Sequence, residues 1–336
     1  MTTTSTTFTP PYPPSWVDRF IGWIDRLPVP AWLFYIVLLV AEFAALNILL
    51  WTIGTLPTGS FDLARTYSIV YSVGSIAWIH YLNRIASRAI KQFAPALGND
   101  QNEYEAFRYR LTTLPKRTAL IVTILNFILE IFSNLLIFAK GGSPAEVFTN
   151  LLISMISYGL TGVALYAIVR QLLLVSQIHA VASRVNLFER APLYAFSGLT
   201  VRTGIASLIA TYFAIAINPE AQISVGAILY NSVGLVLAAA CFALPLNGMH
   251  QRMTKEKARL LARVDRRFET AFDKLHYGFD TEDFSQTDAL NKSLTGLTIE
   301  RDTIQKISTW PWQTGTFRGF SGALILPIII WLITRL

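Results

Sequence analysis

Residues 31–54 read AWLFYIVLLVAEFAALNILLWTIG and contain a single charged side chain, that of Glu42. An α-helix needs about 20 predominantly apolar residues to cross the hydrocarbon core of a bilayer. This stretch therefore predicts a membrane-spanning helix. The whole chain follows the same pattern, because 53% of its residues are hydrophobic, 15% are charged and its mean hydropathy is +0.44. A water-facing surface would be richer in charge.

Six further apolar blocks predict spans, which gives about seven in total. They cover approximately residues 66–83, 118–138, 147–170, 201–217, 225–246 and 317–334. The block at 66–83 is the least apolar, since it holds several serines and tyrosines. If it does not cross, the C-terminus changes sides. The predicted fold class is all-α, a polytopic membrane helical bundle.

The apolar blocks and the charged segments between them divide the chain into four parts. A tail and an interfacial amphipathic helix take residues 1–30, six spans form the bundle at 31–247, a cytoplasmic antiparallel helical hairpin takes 248–315, and the last transmembrane helix takes 316–336. The interfacial helix is expected over 15–27, where apolar residues recur at helical spacing and charged residues fill the other side. Two prolines, Pro28 and Pro30, then break the helix.

The hairpin is predicted from two rows of apolar residues at helical spacing, the first of which alternates at spacings of three and four. The rows are Leu261, Val264, Phe268, Ala271 and Leu275, and then Leu290, Leu294, Leu297, Ile304 and Ile307, with a polar turn at 278–285 between them. Two such helices bury their rows against each other, or against a second copy of the chain. The hairpin could therefore serve a homo-oligomer or a cytoplasmic partner protein.

Lys and Arg set the orientation. They gather after the second and sixth predicted spans, whereas residues 55–65 and 139–146 hold one each and residues 218–224 hold none. Short cytoplasmic loops carry the excess of Lys and Arg. This predicts a multi-pass protein of the cell membrane with a cytoplasmic N-terminus and an external C-terminus. The net charge of +7 lies in short loops beside the apolar blocks, where it would contact the surface of the lipid bilayer. No nucleic-acid partner is expected.

Two carboxylates lie where lipid makes charge costly, and such residues are functional candidates. Glu42 is near the middle of the first span, and Glu130 in the third is flanked at four-residue spacing by Asn126 and Asn134. That spacing places the three residues of the third span on one helical face. They could bind a proton or a small cation, or they could form hydrogen bonds that hold neighbouring helices together.

The span at 147–170 carries small and hydroxylated residues on one side, including Ser154, Ser157 and Thr161. Such residues allow close packing between membrane helices. Close packing is the first interpretation, and the lining of a cavity is the alternative.

Three histidines recur at the predicted cytoplasmic ends of spans, as part of a faint internal repeat. His80, His179 and His250 could form a metal or pH-sensing cluster. No close pair such as two histidines four residues apart supports a metal site. The alternative is that each caps a span or touches lipid headgroups.

The sequence contains no motif for nucleotide, dinucleotide, zinc-protease or serine-hydrolase chemistry, and only one cysteine, Cys241. No catalytic residue, metal or cofactor is therefore predicted.

Two functions remain. The first is a non-enzymatic membrane sensor or scaffold that couples the bundle to the cytoplasmic hairpin, because the sixth span is expected to continue as one helix into the first row of the hairpin. The second is a channel or a cation- or proton-linked transporter that uses Glu42 and Glu130.

Overall fold

The structure, a computed structural model, describes residues 8–61, 63–98, 101–139, 144–182, 185–217, 225–282 and 285–333. Over these residues the chain is all-helical, without strands. The helices are α1 (Trp16–Ile24), α2 (Ala31–Thr52), α3 (Leu63–Leu97), α4 (Gln101–Thr112), α5 (Lys116–Ala139), α6 (Pro144–Val181), α7 (Arg190–Leu193), α8 (Ser197–Ile217), α9 (Val225–Asp280), α10 (Thr287–Gln305) and α11 (Thr314–Ile333).

Within the described residues, five helices are long and apolar enough to cross a membrane. They are α2, α5, α6, α8 and α9. Only 17% of the apolar stretch of α2 and 11% of that of α5 are buried inside the protein, as expected for helices that face lipid. The other two predicted spans fall in α3 and α11, so the total of seven stays a prediction.

The order of the elements repeats three times after α2. Each unit consists of a long helix, a short helix and an apolar helix, namely α3–α4–α5, α6–α7–α8 and α9–α10–α11. The long helices have 35, 38 and 56 residues, so each exceeds what a bilayer core requires.

The largest core is formed where the long helices extend past the apolar blocks. Phe93 of α3, Ile178 of α6, Phe196 before α8 and Met249 of α9 are fully buried together there. Where its surroundings are aqueous, an apolar core of this kind is stabilised by the hydrophobic effect. We refer to this cluster as the cap core.

The N-terminal segment is bound to the α4–α5 corner. Ser15 donates its backbone N–H to the carbonyl of Leu114 at 3.0 Å, and the Tyr12 hydroxyl donates to the carbonyl of Thr113 at 3.0 Å. Arg170 of α6 donates to that same Thr113 carbonyl at 3.2 Å, and also to the carbonyl of Arg110. The residues from Tyr12 onward are therefore an ordered part of the bundle rather than a loose tail.

Asp18 is one of the charged residues that were expected on the outer side of the interfacial helix, but its side chain instead contacts Leu114. It forms a capping box with Ser15 and accepts the backbone N–H of Leu114 at 2.9 Å. Burial raises the pKa of its carboxyl group, although these hydrogen bonds act in the opposite direction. The buried apolar face of α1 consists of Val17, Ile21 and Ile24.

The second half of α9 and the whole of α10 lie antiparallel. Lys257 donates to the carbonyls of Gln305 and Ile307, and Arg301 lies 3.3 Å from Asp265. The predicted apolar rows are buried mainly at their base, where Val264 and Ile304 are each 1% exposed. Towards the tip the pair is more open.

Phe268 is not in the buried seam. It is 36% exposed and stacks on Phe272, which is 45% exposed. On a helix, Phe268 is rotated away from the line through Val264 and Ala271 that faces α10. The prediction that Phe268 belongs to the buried row was therefore wrong.

Candidate functional site

Four polar side chains of α3, within and just after the predicted span at 66–83, contact other parts of the bundle. They are Ser72, Ser75, His80 and Arg84. Ser72 contacts Glu42 of α2, and Ser75 contacts Thr161 of α6. His80 and Arg84 both contact Asp25.

Glu42 contacts α3 through a serine. Ser72 Oγ lies 2.8 Å from each carboxyl oxygen of Glu42 and 3.0 Å from the carbonyl oxygen of Ile69. A serine hydroxyl has one hydrogen and cannot donate to three acceptors. Two of the three contacts become hydrogen bonds if Glu42 carries a proton and donates it to Ser72 Oγ, and Ser72 in turn donates to Ile69. If Glu42 is ionised, Ser72 can turn its hydrogen towards the carboxylate instead.

A cavity of about 210 Å³ lies beside this carboxyl group, between α2, α3 and α6. Glu42, Ser68 and Ser157 contribute its polar side chains, and the rest of the wall is aliphatic. Among the described residues that line the cavity, Glu42 is the acidic one. Of the small and hydroxylated residues of α6, Ser157 therefore lines a cavity. Thr161 instead forms a hydrogen bond with Ser75 at 3.2 Å.

Further along α3, His80 is buried between the hydroxyl group of Tyr35 and the carboxylate of Asp25. Its Nδ1 lies 3.1 Å from the hydroxyl of Tyr35, and its Nε2 lies 3.2 Å from Asp25, which is also paired with Arg84 at 2.6 Å. The tyrosine can donate to Nδ1, which leaves the ring proton on Nε2, near Asp25 but without the geometry of a hydrogen bond. His80 is 3% exposed and connects Tyr35 to Asp25.

The predicted polar face of α5 is turned towards α6. Asn134 donates to Ser154 of α6 at 3.1 Å, and Glu130 hydrogen-bonds with the same serine. Asn126 lies against Gly162, where a Cβ atom would overlap its amide group. This contact is close, and its residues do not line the cavity beside Glu42. The two carboxyl groups therefore belong to different helix interfaces.

The other two histidines are each held at a separate place. His179 is fully buried in the cap core between the rings of Phe93 and Phe196, and its Nδ1 donates to the carbonyl of Pro245 at 3.0 Å. His250 donates to the carbonyl of Thr309 at 3.0 Å. The three histidines do not form one cluster. Over the described residues, no group of three His, Cys, Asp or Glu side chains could hold a metal ion.

Sequence reasoning missed the partners of Glu42 and His80. The serines of α3 were noted only as a weakness of the predicted second span, although Ser68 and Ser72 are four residues apart and Ser75 follows. That spacing was a signal for one polar helical face. No local signal linked Asp25 or Tyr35 to His80, because they lie on different helices.

The arrangement can hold a proton at Glu42, offer a small cavity beside it, and connect His80 to the protein surface through Asp25. Comparison with known protein families, curated proteins and solved structures found no match to the chain.

Proposed function

We propose that the chain is a multi-pass protein of the cell membrane with about seven spans, in which the N-terminus and residues 248–315 are cytoplasmic and the C-terminus is external. The five apolar helices support a membrane location. The concentration of Lys and Arg after the predicted second and sixth spans supports the orientation. The basic, antiparallel α9–α10 pair then stands in the cytoplasm.

We further propose that the protein is a non-enzymatic sensor or scaffold, in which the bundle holds and displaces the cytoplasmic hairpin. The observation that carries this proposal is the continuity of α9, a single helix of 56 residues from Val225 to Asp280. At 1.5 Å per residue it is about 84 Å long. Its first half is apolar and its second half packs on α10, so both parts belong to one continuous helix.

Three contacts hold α9 where its apolar part ends. The carbonyl of Pro245 accepts from His179, Arg252 donates to the carbonyls of Ala180 and Ala182, and His250 stacks on Trp310 with ring centroids 3.9 Å apart. Proline at 245 removes one backbone hydrogen bond from α9, which makes this a natural place for a bend. A shift of the cap core would therefore be passed to α9 near its midpoint.

Two matched Leu→Ala substitutions, each of which would create a cavity at a buried site, test the coupling. Leu246 of α9 is 0% exposed in the cap core, and Leu50 of α2 is 1% exposed in a cluster that does not include α9. Leu→Ala at a buried site costs about 2–5 kcal/mol. Amide hydrogen exchange of the full chain in lipid nanodiscs would be followed over 257–275. We expect faster exchange there in Leu246→Ala and unchanged exchange in Leu50→Ala.

A second variant separates coupling from general destabilisation. Two glycines inserted after Lys257 interrupt α9 below the cap core. In that background Leu246→Ala should no longer affect exchange in the hairpin, because the rigid connection is broken. Equal exchange in Leu246→Ala and Leu50→Ala, or an effect that survives the insertion, would contradict the coupling.

A second candidate function is a channel or proton- or cation-linked transport. The observation that favours it is the carboxyl group of Glu42 beside a cavity, with a serine that can serve both of its protonation states. The proposal made from the sequence relied on Glu42 and Glu130 together. Since Glu130 lies in the close α5–α6 contact, we now propose Glu42 as the transport residue and Glu130 as a packing residue.

Flux in proteoliposomes tests the second candidate. Proton, sodium and potassium fluxes would be measured for the parent, Glu42→Gln and Glu130→Gln. If transport depends on Glu42, flux should disappear in Glu42→Gln and persist in Glu130→Gln. A parent protein without flux of any of these ions would leave the scaffold proposal standing alone.

A further inference from the structure

The cavity beside Glu42 opens sideways from the bundle. Ala45 of α2 and Leu152 and Ile156 of α6 line it and are exposed, Leu152 by 39% and Ile156 by 51%. In a membrane these exposed rim residues would face lipid. A ligand could therefore enter from the bilayer, between α2 and α6, without crossing the protein interior.

The position of the carboxyl group decides what the cavity can recognise. Glu42 is eleven residues from the start of α2, about 16 Å along the helix, which is the middle of a bilayer core. An ionised carboxylate accepts about four hydrogen bonds, and Ser72 can supply only one. Without a ligand the neutral form is favoured, because an unpaired charge at this depth is costly. A cation in the cavity would remove that cost.

We propose that this cavity binds a lipophilic organic monocation, such as a quaternary ammonium ion, in exchange for the proton of Glu42. This rests on the second candidate function and names its substrate class. The protonated carboxyl group and the free cation give a carboxylate–cation pair and one released proton, so that atoms and charge balance. Ser72 follows the change by turning its hydrogen from the carbonyl of Ile69 to the carboxylate.

The walls favour an organic cation over a metal ion. Sodium and calcium ions require several oxygen ligands, whereas the oxygens of this cavity come from Glu42 and two serines, Ser68 and Ser157, among aliphatic side chains. A quaternary ammonium ion needs no oxygen ligands and gains from apolar contact. The volume of about 210 Å³ also suits it, because an apolar cavity of about 150 Å³ accepts benzene.

The experiment compares a cation with its neutral isostere. Benzyltrimethylammonium and neopentylbenzene have the same shape and differ in charge. Binding to the purified full chain would be measured by titration calorimetry, and proton release by a pH indicator in weakly buffered solution at pH 7. We expect saturable binding of the cation with release of about one proton for each cation bound, and at least tenfold weaker binding of neopentylbenzene.

Variants assign the site. Glu42→Gln should lose proton release and at least tenfold in affinity, while Glu130→Gln, a matched change in the α5–α6 contact, should retain both. Ala45→Phe fills the cavity from its rim and leaves the carboxyl group intact, so it should also lose binding. This variant keeps the test decisive if Glu42→Gln does not fold.

Several outcomes would overturn the proposal. Equal binding of neopentylbenzene would identify the cavity as a site for a lipid chain, and cation binding that survives both Glu42→Gln and Ala45→Phe would lie elsewhere. Binding without proton release would exclude the exchange. Cation binding with proton release but without flux would retain the site and reject transport, whereas proton flux in a parent that binds no cation would do the opposite.

Discussion

Gly204 provides a sharp test of how the apolar helices pack. It lies in α8, where a Cβ atom would be 2.7 Å from Cε2 of Phe320 on α11 and 3.0 Å from the carbonyl oxygen of Ala238 on α9. Phe320 is 4% exposed and stacks on Phe242 with centroids 4.4 Å apart, so it cannot turn aside without breaking that stack. The carbonyl of Ala238 belongs to a helix and is equally constrained.

Two opposing effects give the magnitude for Gly204→Ala. Replacing glycine by alanine inside a helix stabilises by about 0.5–1 kcal/mol, whereas overpacking of a filled contact costs about 1–3 kcal/mol. The expected net effect is a loss of about 1–2 kcal/mol. Gly74 of α3 is the matched control, because a Cβ atom there meets nothing within 4 Å. Gly74→Ala should therefore be neutral or stabilising.

Unfolding of the purified protein in mixed detergent micelles, followed by tryptophan fluorescence, would compare the two variants with the parent. The unfolding midpoint should move down for Gly204→Ala and stay or move up for Gly74→Ala. If Gly204→Ala proved as stable as Gly74→Ala, then α8 would not lie this close to α9 and α11, and the packing described here would be wrong.

Three further predictions follow from single features. Val264→Glu should destabilise the α9–α10 pair by a few kcal/mol, whereas Phe268→Glu should be tolerated, because only Val264 is buried; limited proteolysis across residues 248–309 would distinguish them. Burial raises the pKa of Asp18 above its ordinary value of 3.8, so the folded state keeps this proton to higher pH than the unfolded chain. The free energy of unfolding should therefore fall as the pH rises through that window, and Asp18→Asn should lack the fall in thermal melts at graded pH. Reporter fusions after Gly98 and after Thr281 should read cytoplasmic, and a fusion at the C-terminus should read external; an external reading at Thr281 would reverse the proposed orientation.

The apolar blocks could be predicted well because their length is set by the bilayer. The block predicted at 31–54 is α2, Ala31–Thr52, and the block at 118–138 is α5, Lys116–Ala139. Arg170 was predicted as the boundary of a span, and the helix itself continues past it. Its guanidinium group is instead satisfied by the carbonyls of Arg110 and Thr113, and the helix continues to Val181.

The cap core was missed for a related reason. Its residues are spread over several helices, and each helix contributes only a few of them. Periodicity detects a buried face along one helix, but it does not show which faces meet. The fully buried contact between Phe93 and Phe196, more than a hundred residues apart, has no local signature.

The two intramembrane carboxyl groups were selected by one rule, the cost of charge in lipid, but packing gives them different surroundings. On α6, Gly159 and Gly162 have no Cβ atom, so Phe127 and Asn126 of α5 fit against the helix backbone. That close approach leaves Glu130 with a hydrogen bond to Ser154.

On the α2 side, Leu152 and Ile156 of α6 line the cavity that lies beside Glu42. Small residues allow membrane helices to approach closely. We infer that the side chains of α6, rather than the carboxyl groups themselves, decide that Glu130 lies in a close helix contact and Glu42 beside a cavity. Replacing Gly159 or Gly162 should therefore disturb the environment of Glu130 and leave that of Glu42 unchanged.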